Sequence, residues 1–96
     1  NAIDGLRPDD VVEVTCEVGP KGCTPHRIGA VDEQNLELIR RVKNYECLAS
    51  KAIREKSRAA AVQALTLHPL VNSYSLACAL TDAYIAHNKG YCDGWH

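Results

Sequence analysis

The stretch VDEQNLELIRRVKNYECLASKAIREK, residues 31–56, decides the fold because it lies in the longest run without glycine or proline. Its apolar residues recur in steps of three and four, which places them in one stripe along a helix. Acidic residues near its start and basic residues near its end suit the helix dipole. The stripe is too wide to stay in water, so we expect other elements to pack on it. The stripe consists of Leu38, Ile39, Val42, Tyr45, Ala49, Ala52 and Ile53.

A β-hairpin is predicted ahead of this helix. In VVEVTCEV, residues 11–18, apolar and polar positions alternate, which predicts a half-buried strand. Its inward-facing residues are expected to be Val12, Val14, Cys16 and Val18. The sequence GPKG at residues 19–22 is typical of a turn, and residues 23–28 can return as a shorter edge strand containing Pro25. The predicted hairpin covers about residues 11–28.

Two shorter helices are predicted after the long one. Ser57 can cap the first, which stops before Pro69 because the residue ahead of a proline resists the helical region. Ser73 or Ser75 can cap the second, and Gly90 is expected to end it. One face of that last helix carries Leu76, Ala77, Leu80, Ala83, Tyr84 and His87. With helices at about residues 32–56, 57–68 and 73–89, residues 1–96 are expected to form a single fragment of the α+β class, an N-terminal β-hairpin followed by three helices.

Composition narrows the class of protein. The 96 residues are 46% hydrophobic with a net charge of −1, which argues against nucleic-acid binding because that requires a basic surface. No apolar run approaches the length of a membrane span. The chain contains no methionine, as expected of a piece cut from a longer protein. Five cysteines that match no secreted disulfide pattern predict reduced thiols and a cytoplasmic location.

One group of residues has the chemistry of a metal site. Cys16, Cys23 and His26 are close in sequence across the predicted turn, but they supply three ligands with no evident fourth. The interpretation we prefer is that the two cysteines are core thiols and the histidine lies at the surface. Cys16 and Cys23 flank one turn, so they are also the pair best placed to form a disulfide.

A second group is a weaker candidate. It consists of His87, Cys92 and His96. These residues lie in or beside a tail, residues 91–96, that we expect to fray.

Catalytic motifs of other kinds are incomplete. The residue types of a cysteine protease are present, but almost any chain of this size contains them. The GPKG sequence lacks the Gly-Lys-Ser/Thr ending of a phosphate-binding loop, and no G-x-G-x-x-G sequence occurs. From the residues alone, we assign no catalytic, cofactor-binding or metal-binding residue.

Three stretches of the chain resemble the C-terminal part of glycoside hydrolase family 4, most closely that of the 6-phospho-β-glucosidases. They are DDVVEVTCEVGPKGCTPHRIG (residues 9–29), VKNYECLASKAI (residues 42–53) and AVQALTLHPLVNSYSLACALTDAYIAHNKGY (residues 61–91). The most specific piece is PLV at residues 69–71 in its helical context. The resemblance covers nearly the whole chain.

One departure from the family concerns the end of the long helix. Members often read E-A-A-x-T-G there, whereas this chain reads KAIREKS at residues 51–57. Because the helix-breaking glycine is missing, we expect a softer break near Ser57.

The resemblance implies an NAD-dependent glycosidase as the parent enzyme. Members of the family hydrolyse glycosides by hydride transfer to NAD, with a divalent metal, typically Mn²⁺, and a tyrosine base. Their NAD-binding loop, metal ligands and catalytic tyrosine all lie upstream of the residues present here. The resemblance therefore carries no site residue onto this chain, in which Cys16, His26 and Tyr45 match scaffold positions, and it implies no cofactor for the fragment itself.

Three hypotheses for function follow. The chain is the C-terminal part of a 6-phospho-β-glucosidase, or of an α-glycosidase of the same family, and is inert alone. Alternatively, it is a free-standing helical interaction module, or a small thiol or metal enzyme. The first hypothesis implies two partners: the missing N-terminal part of the parent enzyme, and further copies in a homo-oligomer, most simply a two-fold dimer through helix faces. No nucleic acid or membrane partner is expected.

Overall fold

The computed structural model describes residues 2–96 and contains a two-stranded antiparallel hairpin followed by three α-helices, which confirms the predicted fold class. The elements are β1 (Cys16–Gly19), β2 (Gly22–Pro25), α1 (Glu33–Glu55), α2 (Arg58–Leu67) and α3 (Tyr74–His87). The chain divides into two compact units, of which the first ends at Arg40 and the second is Arg41–His96. No helix within residues 2–96 has the length and apolar composition needed to cross a membrane.

The hairpin belongs to the first unit and is shorter than the alternation of the sequence suggests. Cys16 lies opposite Pro25, and Val18 lies opposite Cys23. The strands end at Pro25, although the amide of His26 still donates to the carbonyl of Thr15 at 2.8 Å, one residue further along.

The prediction that Cys16 and Val18 face inward is wrong. Both are exposed, with 84% of the Val18 surface accessible, while Val12 and Val14 are half-buried ahead of β1. Alternation selects a buried side only where another layer covers a strand. Every residue of β1 and β2 is exposed, so the alternation does not correspond to a buried side of this hairpin.

The start of the described chain closes the first unit through backbone hydrogen bonds. The carbonyl of Ala2 accepts from the amides of Ile28 and Gly29, at 2.7 and 3.1 Å. The amide of Asp4 donates to the carbonyl of Gly29 at 2.9 Å, and its carboxylate pairs with Arg27 at 2.7 Å. The first unit therefore depends on backbone pairing as well as on side-chain burial.

Helix α1 shields most of its predicted stripe only partly from solvent. Ala52 is buried, whereas Leu38 and Ile53 are exposed, and Leu36 is buried where the sequence pattern suggested Leu38. At about 100° per residue, Leu38 is turned about 160° from Leu36, so burial of Leu36 leaves Leu38 outside. The half-buried members of the stripe are Ile39, Val42, Tyr45 and Ala49.

Serine caps begin the two shorter helices. The hydroxyl of Ser57 accepts from the amide of Ala60 at 3.1 Å, and the hydroxyl of Ser73 accepts from the amide of Leu76 at 3.2 Å. Helix α2 ends at Leu67, two residues before Pro69, as expected. Helix α3 ends differently from the prediction: Asn88, rather than Gly90, is the C-cap, and its side-chain amide donates to the carbonyl four residues earlier at 2.9 Å.

Helices α2 and α3 pack on each other, and their buried residues are mostly small. The buried residues are Ala60, Val62 and Ala64 on α2, and Ala77 and Thr81 on α3. The hydroxyl of Thr81 donates to the carbonyl of Ala77 at 2.8 Å, so its burial leaves no unpaired polar group. Within residues 2–96, no large side chain is fully buried.

The break after α1 and the tail, which we expected to be soft and to fray, are joined to each other by hydrogen bonds. Lys56 adopts a left-handed conformation, with φ of 51°, which glycine usually takes at a helix end, and α2 begins two residues later. The amide of His96 donates to the carbonyl of Lys56 at 2.9 Å, and the amide of Arg58 donates to the carbonyl of His96 at 2.8 Å. The side-chain ammonium of Lys56 also donates to the carbonyl of Asp93 at 2.9 Å, so the tail is held at the α1–α2 break.

Gly5 offers a test of the first unit. It has φ of +90°, its carbonyl accepts from Nε of Arg40 at 3.0 Å, and an added Cβ would lie 2.9 Å from Cδ2 of Leu36. We predict that Gly5→Ala destabilises this unit by about 1–2 kcal/mol, because an L side chain resists positive φ. The measurement is amide hydrogen exchange at Asp4, Ile28 and Gly29, where protection should fall by about tenfold.

The matched control is Gly19→Ala, since a Cβ there meets nothing within 4 Å. The control should leave protection at the three amides close to that of the parent chain. Equal loss in both variants, or no loss in Gly5→Ala, would contradict this account of the first unit.

Candidate functional site

The first group considered as a metal site, Cys16, Cys23 and His26, does not form one in the described residues. Cys16 and Cys23 are exposed on the hairpin, and the backbone amide of His26 donates to the carbonyl of Thr15 at 2.8 Å just beyond it. Nowhere in residues 2–96 do three or more histidine, cysteine, aspartate or glutamate side chains lie so as to hold a metal ion.

The second predicted group is dispersed in the second unit. His87 is exposed in the last turn of α3, Cys92 is half-buried, and the ring Nδ1 of His96 lies 3.1 Å from the carbonyl of Gly94. Among the described residues, these three form no metal-binding cluster.

The second unit contains an apolar cleft of about 480 Å³ that involves all three helices and the tail. We call it the aromatic cleft. Its floor includes Ala52, Ala64, Leu65 and Ile85. Its aromatic residues are Tyr45, Tyr84, Tyr91 and Trp95.

Several large side chains of the cleft are mostly exposed, although side chains of this kind are usually buried. Ile53 is 67% exposed, Tyr84 is 55% exposed and Tyr91 is 92% exposed. Large apolar side chains grouped in this way are typical of a surface that another part of a protein covers. The aromatic cleft is therefore a candidate interaction surface.

The lining of the aromatic cleft suits apolar contacts. None of its described lining residues is an aspartate, glutamate, lysine, arginine or histidine, so none of these charged side chains opposes an apolar partner. The hydroxyl of Thr81 and the side-chain amide of Asn88 already donate to carbonyls within α3. The tyrosine hydroxyls are the groups able to give direction to a contact that is otherwise apolar.

Tyr45 is positioned by an aromatic contact. Its ring meets that of His68 edge to face, with centroids 4.7 Å apart and an interplanar angle of 88°. This arrangement is favourable for aromatic pairs, and it fixes one wall of the cleft.

Tyr91 and Trp95 were missed from the sequence because we expected the tail to fray. The sequence signal that could have identified them is the presence of two aromatic residues among the last six, because aromatic side chains usually pack against other parts of a protein.

An ion pair beside the cleft joins α2 to α3. The guanidinium of Arg58 binds the carboxylate of Asp82 through two bonds, Nε to Oδ1 at 2.6 Å and Nη2 to Oδ2 at 2.9 Å. The hydrogen bond from Arg58 holds the pKa of Asp82 below its usual value, and its partner's carboxylate raises the pKa of Arg58. Both side chains are partly exposed, so the pair fixes geometry more than it adds stability.

Comparison with known proteins relates this chain to one family of enzymes. The family model described as the family 4 glycosyl hydrolase C-terminal domain matches residues 1–71. The chain is 38% identical over 89 residues to the 6-phospho-beta-glucosidase of Escherichia coli (strain K12), covering 91% of this chain and 20% of that protein. It is 34% identical over 94 residues to the phospho-alpha-glucosidase PagL of Clostridium acetobutylicum, covering 98% and 21%.

A solved structure has the same fold over this region. It is the crystal structure of a 6-phospho-alpha-glucosidase from gut microorganisms in complex with NAD and Mn²⁺, with a TM-score of 0.88 and 34% identity. The match covers 93% of this chain and 21% of that one. The chain thus spans about one fifth of the length of the relatives it matches.

The Arg58–Asp82 pair predicts a pH effect. Because the pKa of Asp82 is lowered on folding, its contribution to stability is present above the unfolded pKa and is lost as pH falls through the folded pKa. We expect Asp82→Asn to lower the thermal midpoint of helix unfolding at pH 7. In acid, the thermal midpoints of the variant and of the parent chain should be closer together. Circular dichroism at 222 nm between pH 2 and pH 7 measures this (roughly the range over which carboxylates titrate).

The control is Asp93→Asn, since the Asp93 carboxylate takes part in none of the ion pairs found within residues 2–96. A difference between Asp82→Asn and the parent chain that stays constant down to the acid end would contradict the role given to the pair.

Proposed function

Since the chain belongs to the family 4 glycosyl hydrolases, we propose that it is the C-terminal part of a cytoplasmic 6-phospho-β-glucosidase. Such an enzyme hydrolyses 6-phosphorylated glucosides with the help of NAD and a divalent metal, Mn²⁺. The observation that supports this most is the match of nearly the whole chain to one fifth of longer phospho-glucosidases. The likeness to a structure containing NAD and Mn²⁺ supports the choice of cofactors.

The role of this part in the parent enzyme is structural. Residues 2–96 do not fit NAD or Mn²⁺, because they contain neither a glycine-rich phosphate loop nor three clustered metal ligands. Both groups therefore belong to the preceding part of the polypeptide. The 96-residue chain alone should take up neither and should have no glycosidase activity.

The aromatic cleft is the surface through which this part acts. In the parent enzyme, the preceding part of the polypeptide covers Ile53, Tyr84 and Tyr91, which are exposed in the isolated chain. When that part is missing, copies of the chain cover the cleft for one another in a homo-oligomer, most simply a two-fold dimer. At about 25 cal/mol per Å², covering a patch of a few hundred Å² contributes several kcal/mol before the costs of association.

The β-linkage is the finer part of the proposal. It is supported by the higher identity to the 6-phospho-beta-glucosidase of E. coli, although α-specific relatives match as well. A protein that carries its own preceding segment should hydrolyse a nitrophenyl 6-phospho-β-glucoside with a higher kcat/KM than the α-anomer. A preference for the α-anomer would assign the chain to an α-glycosidase of the same family.

A second candidate is a free-standing helical interaction module. The observation that favours it is the closure of the second unit by its own tail, through the bonds between Lys56, Arg58 and His96. A module of this kind would use the aromatic cleft to bind an unrelated protein.

A chimera separates the two candidates. We predict that replacing the matching fifth of the E. coli 6-phospho-beta-glucosidase with this chain gives an enzyme that hydrolyses 6-phosphoglucosides when NAD and Mn²⁺ are present. The E. coli enzyme without that fifth should be inactive, because the rest of the enzyme then has an apolar surface that nothing covers. Activity is measured as release of nitrophenol, with and without NAD.

Two variants on α3 sharpen the test. Tyr84→Asp places a charge in the aromatic cleft and should abolish the recovered activity. Ala83 is the preceding residue on α3, is exposed and lies outside the cleft, so Ala83→Asp should preserve the activity. A soluble chimera that is no more active than the shortened relative would favour the interaction module.

A further inference from the structure

The hairpin carries two cysteines on one of its faces. The register places Cys16 opposite Pro25 and Cys23 opposite Val18, and residues two apart on a strand share a face. Cys16 and Cys23 are therefore diagonal neighbours across the β1–β2 ladder. Both are exposed thiols, so reagents in solution can reach them.

The two thiol groups are close enough to influence each other. A hydrogen bond with Cys23, followed by loss of solvent and by the charge of Cys23, raises the pKa of Cys16 above its ordinary value. The Cys16 thiol also lies 3.3 Å from the carbonyl of Val14, to which it can donate. Cys16 therefore holds its proton more strongly than an ordinary thiol does.

We propose that Cys16 and Cys23 form a reversible intramolecular disulfide when a hydroperoxide oxidises the chain. The inference rests on the geometry of the hairpin and is independent of the glycosidase assignment. It assigns a modification site to a hairpin that has no role in the proposed function.

The oxidation balances in two steps. The Cys23 thiolate attacks one oxygen of the hydroperoxide, the O–O bond breaks, and Cys23 becomes a sulfenic acid while hydroxide, or the alkoxide of an organic peroxide, leaves and is protonated. The sulfur of Cys16 then attacks that of Cys23, the S–O bond breaks, and the departing hydroxide takes the thiol proton of Cys16 as water. The two thiols lose two electrons, which reduce the peroxide.

The local backbone allows the bond to close. Diagonal neighbours in a flat ladder lie about 7–8 Å apart, near the upper limit for a disulfide, but the twist of a two-stranded ribbon shortens one diagonal. The interaction between the two thiol groups agrees with a short Cys16–Cys23 diagonal. Each strand has only four residues and the loop is flanked by Gly19 and Gly22, so a small shift meets little resistance.

The experiment uses the whole 96-residue chain, reduced and then freed of reductant. It is treated with an equimolar amount of hydrogen peroxide, alkylated with N-ethylmaleimide and weighed by mass spectrometry. We expect the monomer to take up three maleimides instead of five and to weigh two hydrogens less before alkylation. An unreduced tryptic digest should contain residues 1–21 joined to GCTPHR, residues 22–27, and dithiothreitol should separate them.

Serine variants identify the pair. Cys23→Ser and Cys16→Ser should each abolish the linked peptide, and thiol loss in Cys23→Ser should be about tenfold slower, because the second thiol is no longer held beside the first. Cys47→Ser removes another exposed cysteine, on α1, and should leave the linked peptide unchanged. Five intact thiols after peroxide treatment, a bond between any other pair, or equal thiol loss in Cys23→Ser would overturn the proposal.

Discussion

The packing of α2 on α3 through small side chains is the constraint on which the second unit depends. Ala60, Ala64 and Ala77 bring the two helices together, and Thr81 is admitted because its hydroxyl is satisfied within its own helix. An interface of small residues excludes large ones, so Tyr84 remains outside although it is on the same helix. The small side chains between α2 and α3 therefore explain both the close packing of the two helices and the apolar surface that remains uncovered.

That uncovered surface connects the fold to the family. A free-standing domain of this size would place its leucines, isoleucines and tyrosines in its centre, whereas here no large side chain of the described residues is fully buried. In the relatives, the matching region is one fifth of the polypeptide, and under our proposal the preceding part supplies the missing cover. On that proposal, the aromatic cleft is a contact surface of a larger enzyme, and the chemistry of that enzyme takes place on other residues.

The helices could be predicted from the sequence because their signals are local. Ser57 and Ser73 bind the amides three residues on, and Pro69 acts on the residue before it. Burial could not be predicted in the same way, since it depends on what lies across from each residue: Val18 alternates correctly yet is exposed, and Leu36 is buried instead of Leu38. The tail was misjudged because its bonds to Lys56 and Arg58 join residues far apart in sequence. The aromatic cleft, which needs that tail, was therefore missed as well.

The most direct measurement of the central claim is sedimentation equilibrium of the 96-residue chain at micromolar concentration. If the aromatic cleft needs cover, the chain should sediment with a mass well above 10.5 kDa, and Ile53→Asp should return it towards that value because a charge in the cleft opposes its burial. A parent chain that sediments as a clean 10.5 kDa monomer would contradict the account, since it would show that the chain covers its own apolar surface.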